Sequence, residues 1–261
     1  MKIYVCCKHV PDVAMPFQIK EGRLLSEDLN YVLNAYDASS VEAALVLKET
    51  HEAEVSLVLI GPDKGKEALR KGLAMGADNA YHICDAAFEG SDSHAYAQIL
   101  FQFFSDREYD FILCGKQSQD MDMGLTGGML AQKLSIPYVT NAVGLEVDSE
   151  AKSLTVKRQG DLGAEMVQTP FPSIVTCSND MNDPRIPSLK GIMTSKKKPM
   201  EVIDLAGLGL EESQVGSSGS SSAIVSWSLP PERQAGLKLE GDPEEIVTQL
   251  MEKLTTEAKV L

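Results

Sequence analysis

Residues 111–128 join two contrasting runs: the apolar Phe111-Ile112-Leu113-Cys114 and the polar, glycine-rich Gly115-Lys116-Gln117-Ser118-Gln119-Asp120-Met121-Asp122-Met123-Gly124-Leu125-Thr126-Gly127-Gly128. A short, wholly apolar run predicts a strand that is buried on both faces, as in a parallel sheet. The residues that follow, Met129 to Leu134, have apolar side chains at helical spacing and predict a helix. The segment therefore predicts a strand–loop–helix unit, with its polar loop at the carboxyl end of the strand.

This loop has the features of an anion-binding site. A helix start offers backbone N–H groups without partners and the positive end of the helix dipole, and both favour a phosphate. Gly124, Gly127 and Gly128 have no side chains that would hold a ligand away from the backbone. No Gly-Lys-Ser/Thr sequence follows, so the residues of a phosphate-transferring loop are absent. We expect a site that holds a nucleotide without cleaving it, although an ordinary strand–helix connection would show the same glycines.

Asp120 and Asp122 restrict what a ligand presents to this loop. Carboxylates repel phosphate and accept hydrogen bonds, so ribose hydroxyls, or the ordering of the loop's own backbone, suit these side chains better. A Mg²⁺ site there finds no further ligands in the surrounding sequence.

Composition excludes several classes of function. The chain has 261 residues, 43% of them hydrophobic, and a formal net charge of −14. This length suits one large α/β domain with an extension, and the acidity argues against binding of nucleic acid or an anionic membrane surface. No apolar run approaches the roughly 20 residues of a membrane-spanning helix. The sequence opens directly on a strand with no visible signal peptide, and we expect a soluble, cytoplasmic protein.

Cysteine and histidine patterns give no sign of a metal centre or a disulfide framework. The five cysteines form no Cys-x-x-Cys pair, and most lie in or beside apolar runs, which favours reduced, buried thiols. The four histidines show no metal-ligand spacing. No nucleophile–base pair can be assigned from spacing, so no catalytic residue is expected.

Strands and helices alternate along the first half of the chain. Further strands are predicted at Met1–Cys7, Val55–Ile60, Ala80–Cys84 and Tyr138–Thr140, with helices between them. Ser39-x-x-Glu42 has the form of a capping box for the first helix. This alternation predicts a doubly wound parallel sheet of the Rossmann-like type, in which the loops after strands one, two and four meet at one crevice.

From residue 143 the pattern changes. Gly144–Val147 and Leu154–Arg158 alternate around a turn, as in an antiparallel hairpin, and Ile174–Cys177 is a further buried strand. Gly216–Ser222 has the composition of a flexible linker. A last helix begins near Asp242 and has an apolar stripe. We therefore expect a nucleotide-binding domain at 1–210 and an arm at 211–261 that packs on a partner subunit.

Several segments resemble those of one protein family. In chain order they are Val5-Cys6-Cys7-Lys8-His9-Val10-Pro11-Asp12, Asn34-Ala35-Tyr36-Asp37, Ala74-Met75-Gly76-Ala77-Asp78, Gly115-Lys116-Gln117 through Gly124-Leu125-Thr126-Gly127, Asn182-Asp183-Pro184-Arg185-Ile186-Pro187-Ser188-Leu189-Lys190-Gly191-Ile192-Met193, and Pro230-Pro231-Glu232-Arg233-Gln234-Ala235-Gly236. With these segments the chain resembles the β subunit of electron transfer flavoproteins over essentially its full length.

The resemblance implies an electron carrier rather than a stand-alone enzyme. In the family, a larger α subunit carries the redox-active FAD, flavin dehydrogenases such as acyl-CoA dehydrogenases supply the electrons, and a quinone reductase or another acceptor receives them. The β subunit holds a nucleotide in its own crevice, AMP in the simple carriers or a second FAD in the bifurcating forms that oxidise NADH. The nucleotide contacts implied for this chain are Cys6, Asn34, Ala35, Tyr36, Asp37, Ile60 and every residue from Gly115 to Thr126.

Leu189 matches the leucine of the family's recognition loop, here about residues 182–200, which inserts into a dehydrogenase. One or two buried side chains supply most of the affinity of a small contact. Thr126 and the Pro-Pro-x-Arg segment at Pro230 resemble the AMP-type members, since bifurcating members typically have valine in place of Thr126. In contrast, many AMP-type members have a polar pair in place of Gly124 and Leu125. We expect AMP, with a second FAD as the alternative. A stand-alone ATP-binding or ATP-hydrolysing protein on the same kind of sheet is a further alternative, although the loop after Cys7 lacks the Ser-Gly-Gly run of pyrophosphate-releasing enzymes.

Overall fold

The computed structural model describes residues 1–25, 29–231 and 235–261, and strands alternate with helices over much of this part of the chain. The strands are β1 (Lys2–Cys7), β2 (His9–Pro11), β3 (Ile19–Lys20), β4 (Arg23–Leu24), β5 (Tyr31–Leu33), β6 (Glu54–Ile60), β7 (Asn79–Ile83), β8 (Phe111–Gly115), β9 (Tyr138–Asp148), β10 (Ser153–Gly160), β11 (Gly163–Pro170), β12 (Ser173–Cys177) and β13 (Met200–Ile203). The α-helices are α1 (Ala35–Thr50), α2 (Lys66–Met75), α3 (Ser93–Phe104), α4 (Thr126–Leu134), α5 (Leu189–Ser195), α6 (Leu205–Leu208), α7 (Gly216–Gly219) and α8 (Pro243–Thr256).

Nine strands form one sheet in the order β11-β10-β9-β12-β8-β1-β6-β7-β13. The pairs from β9 to β13 in this order are parallel, and β10 and β11 continue the sheet antiparallel beyond β9. At the centre, Val5 of β1 lies between Leu57 of β6 and Leu113 of β8. The expected parallel α/β sheet with an antiparallel hairpin and a C-terminal helix is confirmed.

Helices cover both faces of the sheet, which explains why its central strands are apolar on both sides. On one face, α1 and α2 enclose a core that includes Val41, Leu69 and Phe111. On the other, α3 and α4 enclose a second core that includes Phe103 and Leu130. Successive residues of β1 and β8 point alternately into these two cores, and this alternation decides which side chains reach the site described below.

The capping box expected at Ser39-x-x-Glu42 is wrong. Helix α1 begins four residues earlier, at Ala35, with Asn34 in the N-cap position, so Ser39 and Glu42 lie inside the helix. The side chain of Asn34 forms no cap hydrogen bond with α1, and Glu42 binds a distant arginine. The capping pattern was misleading because the polar side chain at the actual helix start, Asn34, does not cap the helix. It forms hydrogen bonds with the backbone of the loop at 115–119 instead.

The described residues divide into two compact units, Met1–Ser226 and Trp227–Leu261. The expected flexible linker at Gly216–Ser222 therefore lies inside the first unit, where it contains helix α7 and is hydrogen-bonded to the start of α3. In the second unit, α8 begins with a capping box formed by Asp242 and Glu245. Glu232, Arg233 and Gln234 of the segment after Pro230 lie outside the described residues. Every helix within the described ranges is too short or too polar to span a bilayer.

Candidate functional site

A cavity of about 380 Å³ opens at the carboxyl ends of β1, β6 and β8. The loops after strands one, two and four of the sequence prediction meet there, as expected for a doubly wound sheet. Fourteen of the residues implied by the resemblance line this cavity: Cys6, Asn34, Asp37, Ile60, Gly115, Lys116, Gln117, Ser118, Asp120, Met121, Met123, Gly124, Leu125 and Thr126.

Four of the implied residues do not line the cavity: Ala35, Tyr36, Gln119 and Asp122. They hold the loop between β8 and α4 in place. The amide of Ala35 donates to Gln119 Oε1 at 3.3 Å, and Gln117 Nε2 donates both to Asp122 Oδ1 at 2.8 Å and to the hydroxyl of Tyr36 at 3.3 Å. Their contribution to the site is to fix the backbone that lines it.

Asn34 also holds the loop between β8 and α4 in place. Its amide Nδ2 donates to the carbonyl of Gln117 at 2.9 Å, and its Oδ1 accepts from the amide of Gln119 at 3.2 Å. Both polar atoms of the buried Asn34 side chain are therefore used, and both hold the loop rather than the helix to which the residue belongs.

Asp37 joins the ends of two strands to the first turn of α1. Its carboxylate accepts from the amide of Lys8 at 2.6 Å and from the amide of Gly115 at 3.0 Å. Burial of the carboxyl raises the pKa of Asp37 to about 7, although the two amides and the Lys8 ammonium act in the opposite direction. A Cβ atom at position 115 would lie 2.2 Å from Asp37 Oδ1, so this contact requires glycine there.

A lysine balances the carboxylate that the sequence placed in the loop. Lys8 Nζ lies 2.8 Å from both oxygens of Asp120 and donates to Ser118 Oγ at 3.2 Å. Because the lysine and the carboxylate are paired, the repulsion that Asp120 alone would exert on a phosphate is largely cancelled. Lys8 lies 112 positions before Asp120, so no local sequence pattern indicates that the two are paired.

The glycines at the start of α4 have a packing role that the sequence did not reveal. A Cβ on Gly127 would lie 2.7 Å from Thr176 Cγ2, and one on Gly128 would lie 3.3 Å from the ring of Tyr138. Helix α4 thus lies close against β12 and β9. Leu125 holds the N-cap position and supplies no side-chain cap, which leaves the first amides of α4 available to a ligand.

The far wall of the cavity was missed by the sequence analysis. It consists of Ser91, Asp92, Ser93, Tyr96, Ser222 and Ile224. The Oδ1 atom of Asp92 caps α3 by accepting from the amides of His94 and Ala95, and its Oδ2 atom accepts from the amides of Ser221 and Ser222, all at 2.9–3.0 Å. Burial alone would raise the pKa of Asp92, but these hydrogen bonds lower it to about 2. Only the capping role had a signal in the sequence.

A second candidate surface surrounds Leu189, the first residue of α5. Its side chain is 76% exposed, and the neighbouring Ile186 is 92% exposed. The segment is nevertheless firmly held, because the guanidinium of Arg185 pairs with Glu42 at 2.8 Å and also contacts Glu49. Hydrogen bonds to these two carboxylates raise the pKa of Arg185 further above its ordinary value.

Helix α5 packs closely on α2. A Cβ atom on Gly191 would lie 2.3 Å from the carbonyl oxygen of Ala74. Lys198 donates its Nζ hydrogens to the carbonyls of Leu73, at 3.0 Å, and Ala77, at 2.6 Å. Lys198 thus caps the C-terminal end of α2. Among the described residues, no group of three or more His, Cys, Asp or Glu side chains is arranged to hold a metal ion.

Comparisons with known proteins agree with this architecture. The model of the electron transfer flavoprotein domain matches residues 22–208, well over half of the chain. The chain is 35% identical to the electron transfer flavoprotein subunit beta of Megasphaera elsdenii, over 98% of this chain and 99% of that protein. It is 32% identical to the subunit of the same name from Bacillus subtilis, over the full length of both. It is also 34% identical to subunit CarD of the caffeyl-CoA reductase–Etf complex of Acetobacterium woodii, over 97% of this chain and 98% of that protein. The chain therefore belongs to the electron transfer flavoprotein family, as an electron carrier of the β-subunit type.

Proposed function

We propose that this β subunit holds AMP in its cavity as a structural nucleotide and supports the FAD of an α subunit. As part of this carrier, the subunit accepts electrons from flavin dehydrogenases of the acyl-CoA type and passes them to a quinone reductase or another acceptor. The observation that carries the nucleotide part is the cavity itself, bounded by glycine-rich backbone at the start of α4 and by the ends of β1, β6 and β8. The five free cysteines favour a reducing, cytoplasmic setting.

The size of the cavity favours a mononucleotide. At about 380 Å³ it lies near the lower end of the range of roughly 300–1,000 Å³ that is usual for small-molecule sites. FAD contains AMP together with a flavin mononucleotide, so it needs a much larger volume. The uncapped amides of α4 suit the phosphate of a nucleotide. The paired Lys8 and Asp120 offer a donor and an acceptor to the nucleotide's other polar groups.

The side chains of the cavity favour retention of the nucleotide without chemistry. Asp37 is buried and already accepts two backbone amides, so it is not free to act as a base on a ligand. The side chain of Lys8 is held by Asp120 and Ser118. AMP cannot accept electrons, so its contribution is to fill the site and hold the ends of the strands together.

The surface around Leu189 supports the docking part of the proposal. An exposed apolar side chain on a firmly held segment provides a small anchor that a partner's apolar pocket can receive. A carrier that visits several partners needs contacts that form and separate quickly, and a single anchor gives modest affinity.

The alternative is a second FAD in the cavity, with oxidation of NADH. It is favoured by the Acetobacterium woodii relative, which is named as a subunit of a reductase–Etf complex. The stand-alone ATP-binding or ATP-hydrolysing alternative is not carried forward, because the match to the β-subunit relatives extends over the whole chain.

The test is to purify this chain with its α subunit, denature the complex, and identify the released nucleotides by mass. We expect one AMP and one FAD per heterodimer. Two FAD molecules and no AMP would select the alternative, and the absence of any adenine nucleotide from this chain would refute the nucleotide-binding function.

Two variants at Thr126, the first residue of α4, sharpen this test. Thr126→Asp places a negative charge where the uncapped amides would meet a phosphate, and we expect the AMP content to fall at least tenfold. Thr126→Asn is the uncharged control with the shape of aspartate, and it should retain AMP. Equal AMP content in the two variants would contradict binding of the phosphate at this helix start.

A further inference from the structure

Two of the five free cysteines are direct neighbours in the sheet. Cys6 of β1 and Cys114 of β8 are register partners in a parallel pair of strands. Hydrogen-bonded strands lie about 4.8 Å apart. This spacing falls within the range of Cα separations, roughly 4.4–6.8 Å, that a disulfide bridges.

The two thiols also lie on the same face of the sheet. Both side chains belong to the core beneath α3 and α4, whereas Cys7, the next residue of β1, belongs to the core beneath α1 and α2. Because Cys6 and Cys114 are register partners and share this face, their side chains are direct neighbours across the two strands. Alternation along the strand thus pairs Cys6 with Cys114 and separates both from Cys7.

A small molecule that enters the cavity can reach this pair. Both cysteines line the cavity, Cys6 is half-buried and Cys114 is buried. Cys84 is half-buried as well, but it does not line the cavity. The pair therefore combines three properties, namely register, a shared face and access, that the other cysteines do not combine.

We propose that Cys6 and Cys114 form a reversible dithiol–disulfide site at the floor of the cavity, oxidised by a small peroxide. In the first step, the sulfur of Cys6 attacks one peroxide oxygen, the O–O bond breaks, and the leaving hydroxide takes a proton to form water. Cys6 is then a sulfenic acid. In the second step, the sulfur of Cys114 attacks that of Cys6, the S–O bond breaks, and hydroxide leaves with the proton of Cys114 as a second water.

The electrons and protons balance over the two steps. The two thiols together lose two electrons and two protons, and one peroxide is reduced to two waters. Cys6 is half-buried whereas Cys114 is buried, so the sulfur of Cys6 meets the peroxide first.

The experiment exposes the complex of this chain with its α subunit to hydrogen peroxide after removal of bound nucleotide. Remaining thiols are alkylated, and peptides are mapped by mass spectrometry without reduction. We expect this chain to fall from five free thiols to three and to yield a peptide pair linked through Cys6 and Cys114. Dithiothreitol should restore all five thiols.

Matched variants identify the sulfur atoms. Cys7→Ser should give the same link, because Cys7 faces the other core, whereas Cys6→Ser and Cys114→Ser should each abolish it. Fragmentation between residues 6 and 7 makes the same distinction in the unaltered chain if a variant folds poorly. A link through Cys7, or oxidation of Cys6 to sulfinic acid while Cys114 stays a free thiol, would overturn the proposal.

A last experiment distinguishes the dithiol site from the proposed nucleotide function. It is the only experiment on the dithiol that depends on that function. We expect saturating AMP to slow formation of the link at least tenfold, because a nucleotide in the cavity would cover Cys6. If the link forms equally fast with and without AMP, the dithiol–disulfide proposal is supported. The same result would contradict binding of AMP over Cys6. Failure of the link in nucleotide-free protein overturns the dithiol and leaves the nucleotide proposal to the release experiment.

Discussion

Replacement of Asp37 by asparagine should change how the stability of the protein depends on pH. The carboxyl of Asp37 is 5% exposed, and its pKa is raised from an ordinary 3.8 to about 7. A raised pKa means that the folded chain binds a proton more tightly than the unfolded chain does. The contribution of Asp37 to stability is therefore fully present below about pH 4 and is lost as the pH rises through about 7.

The size of this effect follows from the two pKa values. A tenfold difference in proton affinity corresponds to about 1.4 kcal/mol. The window between the two pKa values runs from 3.8 to about 7, and the range from pH 5 to pH 8 crosses about two pH units of it. The free energy of unfolding should fall by about 2.5 kcal/mol over this range on account of Asp37 alone.

Asparagine carries no titrating proton, so Asp37→Asn should lack this loss. Its amide group also places a donor against the amide of Lys8 or Gly115, which costs about 1–3 kcal/mol at every pH. The variant should therefore be clearly less stable than the unaltered protein at pH 5, and the gap should narrow by about 2.5 kcal/mol by pH 8.

Urea unfolding followed by circular dichroism at pH 5, 6, 7 and 8 measures this gap. Asp106→Asn, which removes an exposed carboxylate after α3, controls for the loss of one negative charge. A gap between the unaltered protein and Asp37→Asn that stays constant from pH 5 to pH 8 would refute the reasoning. It would mean that the two amides outweigh burial and keep the carboxyl ionised throughout.

Three further variants test the docking segment and the cavity wall. Leu189→Ala removes apolar surface whose burial in a partner would contribute about 2 kcal/mol to binding, so the KM for the carrier in a dehydrogenase assay should rise roughly thirtyfold with flavin content unchanged. An unchanged KM would contradict docking through this residue. Gly191→Ala should force α5 away from α2, and we expect a lower melting temperature together with the same rise in KM. Asp92→Ala removes the acceptor that holds Ser221 and Ser222, so amide hydrogen exchange at 220–222 should accelerate while β8 stays protected. Unaltered exchange at 220–222 would show that the other hydrogen bonds of the segment suffice.

The sequence was most informative where burial dictates residue type. Val5, Leu57 and Leu113 lie in runs that are apolar throughout, and only a sheet covered on both faces accommodates such runs. The same patterns located the loop between β8 and α4, and most residues implied there do line the cavity. Local patterns and the resemblance together therefore predicted the sheet and located one wall of the cavity, whose ligand stays a prediction.

The other side of the site depends on contacts between residues that are distant in sequence. Asp92 and Ser222 are 130 positions apart, and nothing in the serine-rich run at 216–222 indicates the carboxylate that orders it. Strand β13 is short, lies at the edge of the sheet and is mostly exposed, so it has neither an apolar run nor a clear alternation. Glu42 was misread for a similar reason, since its partner Arg185 is 143 positions away.

The Arg185 contacts have a consequence for kinetics. This guanidinium fastens the segment before Leu189 to the side of α1, so the docking proposed for Leu189 would use a segment that is already held in place. In the proposed docking, little chain entropy would be lost when the two surfaces join, so a small contact area would suffice for binding. For the proposed docking we therefore expect a small buried area and fast release, with no rearrangement of the loop before each encounter.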